Sequence, residues 1–386
     1  MPNTSLPWKK VKTGEFLKLE YGKNLPTHKR KKGNIPVYGS NGIVGHNDIA
    51  LINSKGLVVG RKGSIGKIEF SDSPFWPIDT TYYVIDHEGV DLRWTYYLLQ
   101  TLGLEKMNRG TGIPGLNRED VYEIVATLPP KIIQKKISKI LSTVDEEIEK
   151  NDQITQKTEI LKKGIMKVLL PENLNGTREK GVELTEQWEL VRLGDVANIT
   201  KLAGYEFTKY FNSYRDKGEI TVLRGKNIKK GSLDLNDTKT IPLNVSHALP
   251  RSQLIKGDLI FSYVGTIGPV ALIEENNKFH LGPNVCKISC LNKVLPEYLF
   301  TYFMSPLIDY EIKKNISTTA QSSLSMEKIR TFEIRIPKSL GTQKKIVTSI
   351  HYLSEKIKTE IDAKNYLNQL KKKLMSDIFS QKIQIN

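Results

Sequence analysis

The sequence predicts a mixed α/β (α+β) fold in which two similar globular domains alternate with two long, antiparallel coiled-coil helices. Three observations carry that reading. The chain repeats itself at long period, short β-rich runs crowd the first part of each repeat, and an unbroken three-to-four-residue apolar period fills the last part. Trp8-x-x-Val11-x-x-Gly14 returns as Trp188-x-x-Val191-x-x-Gly194, 180 positions later. Val58-Val59-x-x-x-Gly63-Ser64-Ile65-Gly66 returns as Ile260-Phe261-x-x-x-Gly265-Thr266-Ile267-Gly268, 202 later. Leu116 and Pro129 match Leu324 and Pro337 at 208, and Gln134-Lys135-Lys136-Ile137 matches Gln343-Lys344-Lys345-Ile346 at 209. A duplication of this period implies two copies of one unit with approximate two-fold symmetry. The offset grows through the first part of the repeat and is constant through the last. That predicts loops tolerant of insertion in the one and a fixed-length scaffold in the other.

The elements follow in order. Leu57-Val58-Val59, Lys67-Ile68-Glu69-Phe70 and Tyr82-Tyr83-Val84-Ile85 are β-rich runs bounded by Gly, Ser, Asp and Pro, and read as strands. Trp94 to Met107 has helical spacing, and Val121 to Leu128 reads as a closing strand before Pro129-Pro130. From Lys131 to Leu170 the apolar period is helical: Ile133, Ile137, Ile140, Leu141, Val144, Ile148, then Ile154, Leu161, Ile165 and Val168. Pro130 suits the first turn and Pro171 ends the run. Residues 172–187 are polar and contain Gly, a linker. The second copy gives strands at Ile220–Leu223, Leu259–Phe261 and Glu333–Ile336, and a helix at Glu297–Met304. A second long helix, marked by Ile346, Ile350, Leu353, Ile357, Ile361, Leu367, Leu370, Leu374 and Ile378, runs almost to Asn386. The domain scheme is therefore 1–130, helix 131–171, linker 172–187, 188–337 and helix 338–386. Forty helical residues span about 60 Å, more than so small a domain can cover. The simplest burial for both apolar stripes is against each other. An antiparallel pair places one domain at each end and matches the two-fold axes of a DNA duplex.

A formal net charge of +16 points to a polyanionic partner, nucleic acid before membrane. No apolar run is long enough to span a bilayer, and the first seven residues hold no signal core. The two cysteines exclude a disulfide framework and fit a reducing cytoplasm.

Taken together, Trp-x-x-Val-x-x-Gly, Gly-Ser/Thr-Ile-Gly, Leu-Pro-Pro or Ile-Pro, Gln-Lys-Lys-Ile and a long helix, all given twice, resemble the specificity subunits of type I restriction-modification systems. The resemblance covers nearly the whole chain. It departs from the family's usual Glu-Gln at the helix start, where Ile133-Gln134 and Thr342-Gln343 stand. It implies two target-recognition domains, a non-catalytic role reading a bipartite sequence in double-stranded DNA, and docking of methyltransferase (modification) subunits, two of them, and of restriction/translocase subunits. It also implies a cytoplasmic protein without a cofactor of its own; S-adenosylmethionine, ATP and Mg would belong to the partners.

The residues that would touch DNA lie in polar loops. Gly60-Arg61-Lys62-Gly63-Ser64-Ile65-Gly66-Lys67 fails as a phosphate loop. Its outer glycines are one residue too far apart, and Ile68 stands where a Mg-binding hydroxyl belongs. It reads as a turn with positive-φ glycines, either purely structural or one that also offers Arg61, Lys62 and Ser64 to DNA. The second copy offers Tyr263 and Thr266. The run His28 to Lys32, with Lys29, Arg30 and Lys31, is either a solvated loop or a set of phosphate contacts. Asn41 is a turn residue first and an adenine reader second; Arg109, Thr111 and Gln321 lie in corresponding polar loops. Arg224, Lys226 and Asn227 form the densest such cluster of the second domain.

Cys286 and Cys290 lie on one face of an alternating run and read as a core pair, not a zinc site. Glu311-x-Lys313 with Asp309 is a chance echo of a nuclease motif. No Asn/Asp-Pro-Pro-aromatic motif exists, which disfavours a self-sufficient methyltransferase. Two rival readings remain: a stand-alone methyltransferase or nuclease with an unrecognised site, and a basic coiled-coil scaffold.

Overall fold

The structure, a computed structural model, describes residues 8–86, 89–108, 115–170, 188–211, 218–316, 322–383 and 385. It divides into two compact units, Met1–Ile154 with Glu360–Asn386, and Thr155–Thr359.

The first unit holds strands β1 (Lys9–Lys12), β2 (Glu20–Tyr21), β3 (Ile35–Gly39), β4 (Gly42–Asn47), β5 (Gly56–Gly60), β6 (Ile68–Ser71), β7 (Trp76–Pro77), β8 (Thr81–Ile85) and β9 (Val125–Leu128). Its helices are α1 (Leu92–Thr101), α2 (Arg118–Tyr122) and the first part of α3 (Lys131–Leu169). One sheet runs β2-β8-β5-β6, a second β4-β3-β7, and β1 pairs antiparallel with β9. The helix expected over 94–107 stops earlier. Gly103 adopts a left-handed φ of 68°, which ends α1, and a single 3-10 turn, Leu104–Lys106, follows. The closing strand expected from Val121 is likewise shorter. Asn117 caps α2 by accepting the Glu119 N–H at 3.1 Å, so the chain is helical to Tyr122 and extended only from Val125.

The second unit repeats the plan: β10 (Trp188–Arg192), α4 (Leu193–Val196), β11 (Ala197–Lys201), α5 (Gly204–Tyr210), β12 (Ile220–Leu223), β13 (Ile228–Lys229), β14 (Ser232–Leu233), β15 (Lys239–Ile241), α6 (Leu243–Ala248), β16 (Gln253–Leu254), β17 (Leu259–Ser262), β18 (Val270–Leu272), β19 (Phe279–Leu281), β20 (Val285–Cys290), α7 (Pro296–Phe303), α8 (Pro306–Asn315), α9 (Met326–Arg330), β21 (Glu333–Pro337) and the first part of α10 (Leu340–Phe379). Its sheets run β11-β20-β17-β18 and β15-β12-β19-β16, and β10 pairs antiparallel with β21. The segment between β12 and β15, longer than the β3–β4 turn, and the added helices α5 and α6 account for the early growth of the repeat offset. The second long helix ends at Phe379, short of the expected end.

Each domain is fastened to its helices by a buried glutamine. Gln134 Oε1 accepts the Asp91 N–H at 2.7 Å while Nε2 donates to the Pro129 carbonyl at 2.8 Å. Gln343 does the same with the Leu295 N–H at 2.8 Å and the Pro337 carbonyl at 2.9 Å, and also reaches the Lys293 carbonyl at 2.9 Å. Both side chains are essentially inaccessible, which is the physical reason that Gln recurs at this position. In the first unit Trp94, Tyr97, Ile137 and Leu141 share a core with Met375 and Ile378 of α10. In the second, Met166 and Leu170 share one with Ile346 and Ile350.

Within the first unit the long helices run antiparallel. Asn151 Nδ2 donates to Glu360 at 2.7 Å, Asp152 pairs with Lys364 at 2.6 Å, and Asp145 with Lys371 at 2.6 Å. Tyr97 donates its phenol to Asp145 at 2.7 Å; burial, then that carboxylate, push the phenol's pKa up. The seam is not the one that the apolar period suggests. Ile140, Ile154, Leu161, Val168 and Ile361 are exposed, and the buried line of α3 carries Asn151 and Thr158. Its middle is polar.

Candidate DNA interface

In both domains the ends of the sheets converge on one cluster of loops. Gly60 N–H donates to the Lys67 carbonyl and Gly66 N–H to that of Gly60, both at 2.8 Å. Ser262 to Pro269 and Gly268 to Ser262 are the counterparts, at 2.9 and 3.1 Å. The turn expected from the glycines is present: Gly63, Gly66, Gly265 and Gly268 all have positive φ. At Gly66 a side chain would also meet the Leu104–Glu105 backbone at 2.4–2.5 Å. Arg61 N–H reaches the Thr80 carbonyl at 3.0 Å, and Tyr263 N–H that of Asn284 at 3.2 Å. Leu116 N–H reaches Arg61, and Leu324 N–H reaches Tyr263, at 2.8 and 3.0 Å. Lys62 bridges Gly115, and Val264 bridges Ser323. The turns after the parallel strands complete the set, with Ile78 N–H on the Tyr38 carbonyl and Gly282 N–H on that of Leu223. These backbone bonds recur in both copies of the cluster, while its side chains differ.

In the first domain the cluster brings together Asn41, Lys62 and Ser64, all exposed. Lys67 Nζ donates to the Asn41 carbonyl at 2.7 Å and pairs with Glu69 at 3.0 Å. Lys29 and Lys31 are exposed on the segment alongside β4. Two arginines are committed elsewhere. Arg30 donates to the Leu25 and Val44 carbonyls at 3.2 and 2.7 Å. Arg61 donates twice to the Asp79 carbonyl and lies over the rings of Tyr21 and Tyr82 at 5.2 and 5.8 Å. Both hold loops in place.

In the second domain Arg224, Lys226 and Thr266 line a groove of about 420 Å³ with Gly225, Ser262 and Asn284. Lys226 is ion-paired with Asp237, whose carboxyl it holds below the usual range. Arg224 Nη2 donates to the Asp237 carbonyl at 2.9 Å. Asn227, expected at the DNA-facing surface, is buried in the structure. It is 2% exposed, accepts the Arg224 N–H at 3.2 Å and donates to the Asp234 and Asp237 carbonyls at 3.0 and 2.8 Å. Both of its amide N–H groups are taken and its side chain is buried, so it offers no donor to a base edge. Tyr263 is half-buried and serves through its backbone; burial raises its phenol's pKa. Asn284, missed in the sequence, faces the groove from a left-handed turn with φ 68°. Its signal was there: Gly282-Pro283-Asn284 ahead of an alternating strand. Arg109, Thr111 and Gln321 lie outside the described residues.

Among the described residues no group of three His, Cys, Asp or Glu is placed to hold a metal. Burial pushes the thiols of both Cys286 and Cys290 up, the latter to about 12. Glu311 is buried and accepts the Glu333 N–H at 3.2 Å, while Asp309 lies 4.0 Å from Lys230. No helix of the described residues is long and apolar enough to cross a membrane.

Comparison with known proteins fits this geometry. The family model "Type I restriction modification DNA specificity domain" matches residues 6–159 and again 185–372. The chain is 24% identical over 418 residues to the type I restriction enzyme MjaVIII specificity subunit of Methanocaldococcus jannaschii, covering 98% of this chain and 93% of that one. It is 23% identical over 290 residues to the EcoBI specificity subunit of Escherichia coli, covering 70% and 60%. Among solved structures, the S subunit of a type I restriction-modification system from M. genitalium superposes with a TM-score of 0.67 at 16% identity over 100% of this chain and 99% of that one. The similarity of the last shows the fold.

Proposed function

The chain belongs to the type I restriction-modification DNA specificity family, and from that premise we propose that each of its two loop clusters reads one half of a bipartite duplex sequence. The protein is a DNA sequence-recognition subunit without catalysis of its own; chemistry belongs to the subunits it assembles with. The observation that carries the bipartite reading is the cluster itself: one hydrogen-bonded scaffold, built twice and dressed with different side chains. A shared scaffold offers the same approach to a duplex, and different side chains offer different base preferences.

On this reading the domains are residues 1–130 and 188–337, carried on the helices 131–171 and 338–386 with the linker 172–187 between. Lys29, Lys31, Asn41, Lys62 and Ser64 face one half-site, and Arg224, Lys226, Thr266 and Asn284 the other. Arg109, Thr111 and Gln321 join them by sequence position. Arg30, Arg61 and Asn227 act by shaping the loops. The antiparallel helices set the spacing and dock methyltransferase subunits, one for each half, together with restriction subunits. S-adenosylmethionine, ATP and Mg are used by those partners, in the cytoplasm.

Exchange of residues 8–128 for those of a relative tests this directly. Methylome sequencing of cells carrying the chimera with its modification subunits should find one half of the motif changed and the other retained. A motif altered in both halves, or in neither, overturns the two-reader assignment.

A further inference from the structure

The β3–β4 ribbon of the first domain carries a feature that the loop cluster does not require. Val44 is the extra residue of a β-bulge. Tyr38 pairs with Ile43 but Val37 pairs with Gly45, so the register shifts between them. Successive strand residues ordinarily face opposite sides. Here the bulge turns both Ile43 and Val44 outward, 55% and 45% exposed at the free end of the ribbon.

The bulge is held by built contacts. Arg30 Nη1 donates to the Val44 carbonyl at 2.7 Å, and a Cβ on Gly45, whose φ is +148°, would lie 2.7 Å from that same nitrogen. Gly39 opposite leaves room for Val44, whose Cγ1 would stand 2.9 Å from a Cβ there. A guanidinium and two glycines thus hold the bulge at Val44.

The surroundings are cationic. The segment with Lys29, Lys31 and Lys32 runs along β4, with Lys31 N–H on Asn47 at 2.9 Å, and Lys67, paired with Glu69, reaches the adjacent turn at Asn41. An apolar tip beside a lysine-rich segment suits a polyanion that also presents methyl groups. The major groove of DNA is wide enough for a two-stranded ribbon, and thymine's 5-methyl is its one apolar marker. We propose that Ile43 and Val44 contact thymine methyl groups in the half-site read by the first domain and so set its preference for A·T pairs. The inference rests on the two-reader assignment above.

The test uses the assembled modification complex and duplexes bearing its motif, with thymine in one half-site replaced by deoxyuridine, which lacks only the methyl. Loss of each contacted methyl should weaken binding about fourfold, for the first domain's half-site alone. Ile43→Ser with Val44→Ser should bind the thymine and deoxyuridine duplexes equally, while still discriminating a scrambled second half-site, which reports that the protein is folded. Equal binding of both duplexes by the unaltered complex, or a first half-site of G·C pairs only, overturns the proposal. If scrambling the first half-site has no effect at all, the two-reader assignment fails instead. If the double variant still prefers thymine, the methyl is read by another residue and the proposal is wrong.

Discussion

Gln134 shows how much one side chain can decide. It satisfies a buried N–H at Asp91 and a buried carbonyl at Pro129 simultaneously. Alanine would strand both, each costing about 1–3 kcal/mol. We expect Gln134→Ala to lower unfolding stability by about 2–6 kcal/mol, read as a reduced urea midpoint for the domain. Gln343→Ala should cost at least as much, since a third partner, the Lys293 carbonyl, also loses its donor. An unchanged midpoint would mean that water replaces the amide and that the contact is incidental. The sequence made this residue visible, because it recurs at a fixed offset, but not its job. The same limit applies to Arg30, Arg61 and Asn227. Their composition and loop positions suit DNA contact, yet their partners at Val44, Asp79 and Asp237 are 10 to 18 residues away. Whether a polar group is already satisfied depends on such pairings, which a linear pattern does not contain.

At the scale of elements, the long helices and the longer apolar strands such as β5, β8, β17 and β21 were legible because their periods are strong and local, whereas the two- and three-residue strands carry too short a pattern to be seen. The helix seam was not. Isoleucines and leucines at 154 and 161 suggest the buried line, but Asn151 and Thr158 occupy it. Polar residues there specify register at some cost in stability. The pairs Asn151–Glu360, Asp152–Lys364 and Asp145–Lys371 supply that specification. Inserting four residues in one helix alone, at Asn151, would therefore slip these pairs against one another. Seven residues in both helices preserve the seam and add about 10 Å. If the helices are the ruler between half-sites, methylome sequencing of such a variant should find the unread spacer longer by about three base pairs, at 3.4 Å each, with both half-sites unchanged. A folded, active variant with its original spacer would leave the helices a docking role only.

For the whole molecule the charge of +16 makes a quantitative statement. Phosphate contacts release counterions, so the logarithm of affinity falls linearly with that of salt concentration. Lys62→Ala and Lys226→Ala should each weaken binding of the assembled complex across all sequences and reduce that slope by about one. Because Lys226 also holds Asp237, a loss of sequence preference without a change in slope would show it to be a loop-shaping residue instead. The duplication, the alternation of globular domain and long helix, and the basic character were all open to a reader of the sequence. Which loop segments meet was not, since those that form each cluster are far apart in the chain, from Tyr38 to Leu116 in one copy and from Leu223 to Leu324 in the other.

The pairing of β1 with β9, and of β10 with β21, has a topological consequence. The chain enters and leaves each domain on adjacent strands, Lys12 opposite Val125 and Arg192 opposite Glu333. Each domain is thus a long loop whose mouth is already shut by a two-stranded stem. Closure entropy grows only logarithmically with loop length, so lengthening or replacing what lies beyond the stem adds little strain at its base. Two genetic crossovers, one on each strand of a stem, would transplant a complete domain. The junctions are a few residues long and fall where the backbone geometry of the two copies already agrees. Binding specificity in such a chain can change by exchange of whole cassettes, without passing through intermediates that have lost their fold.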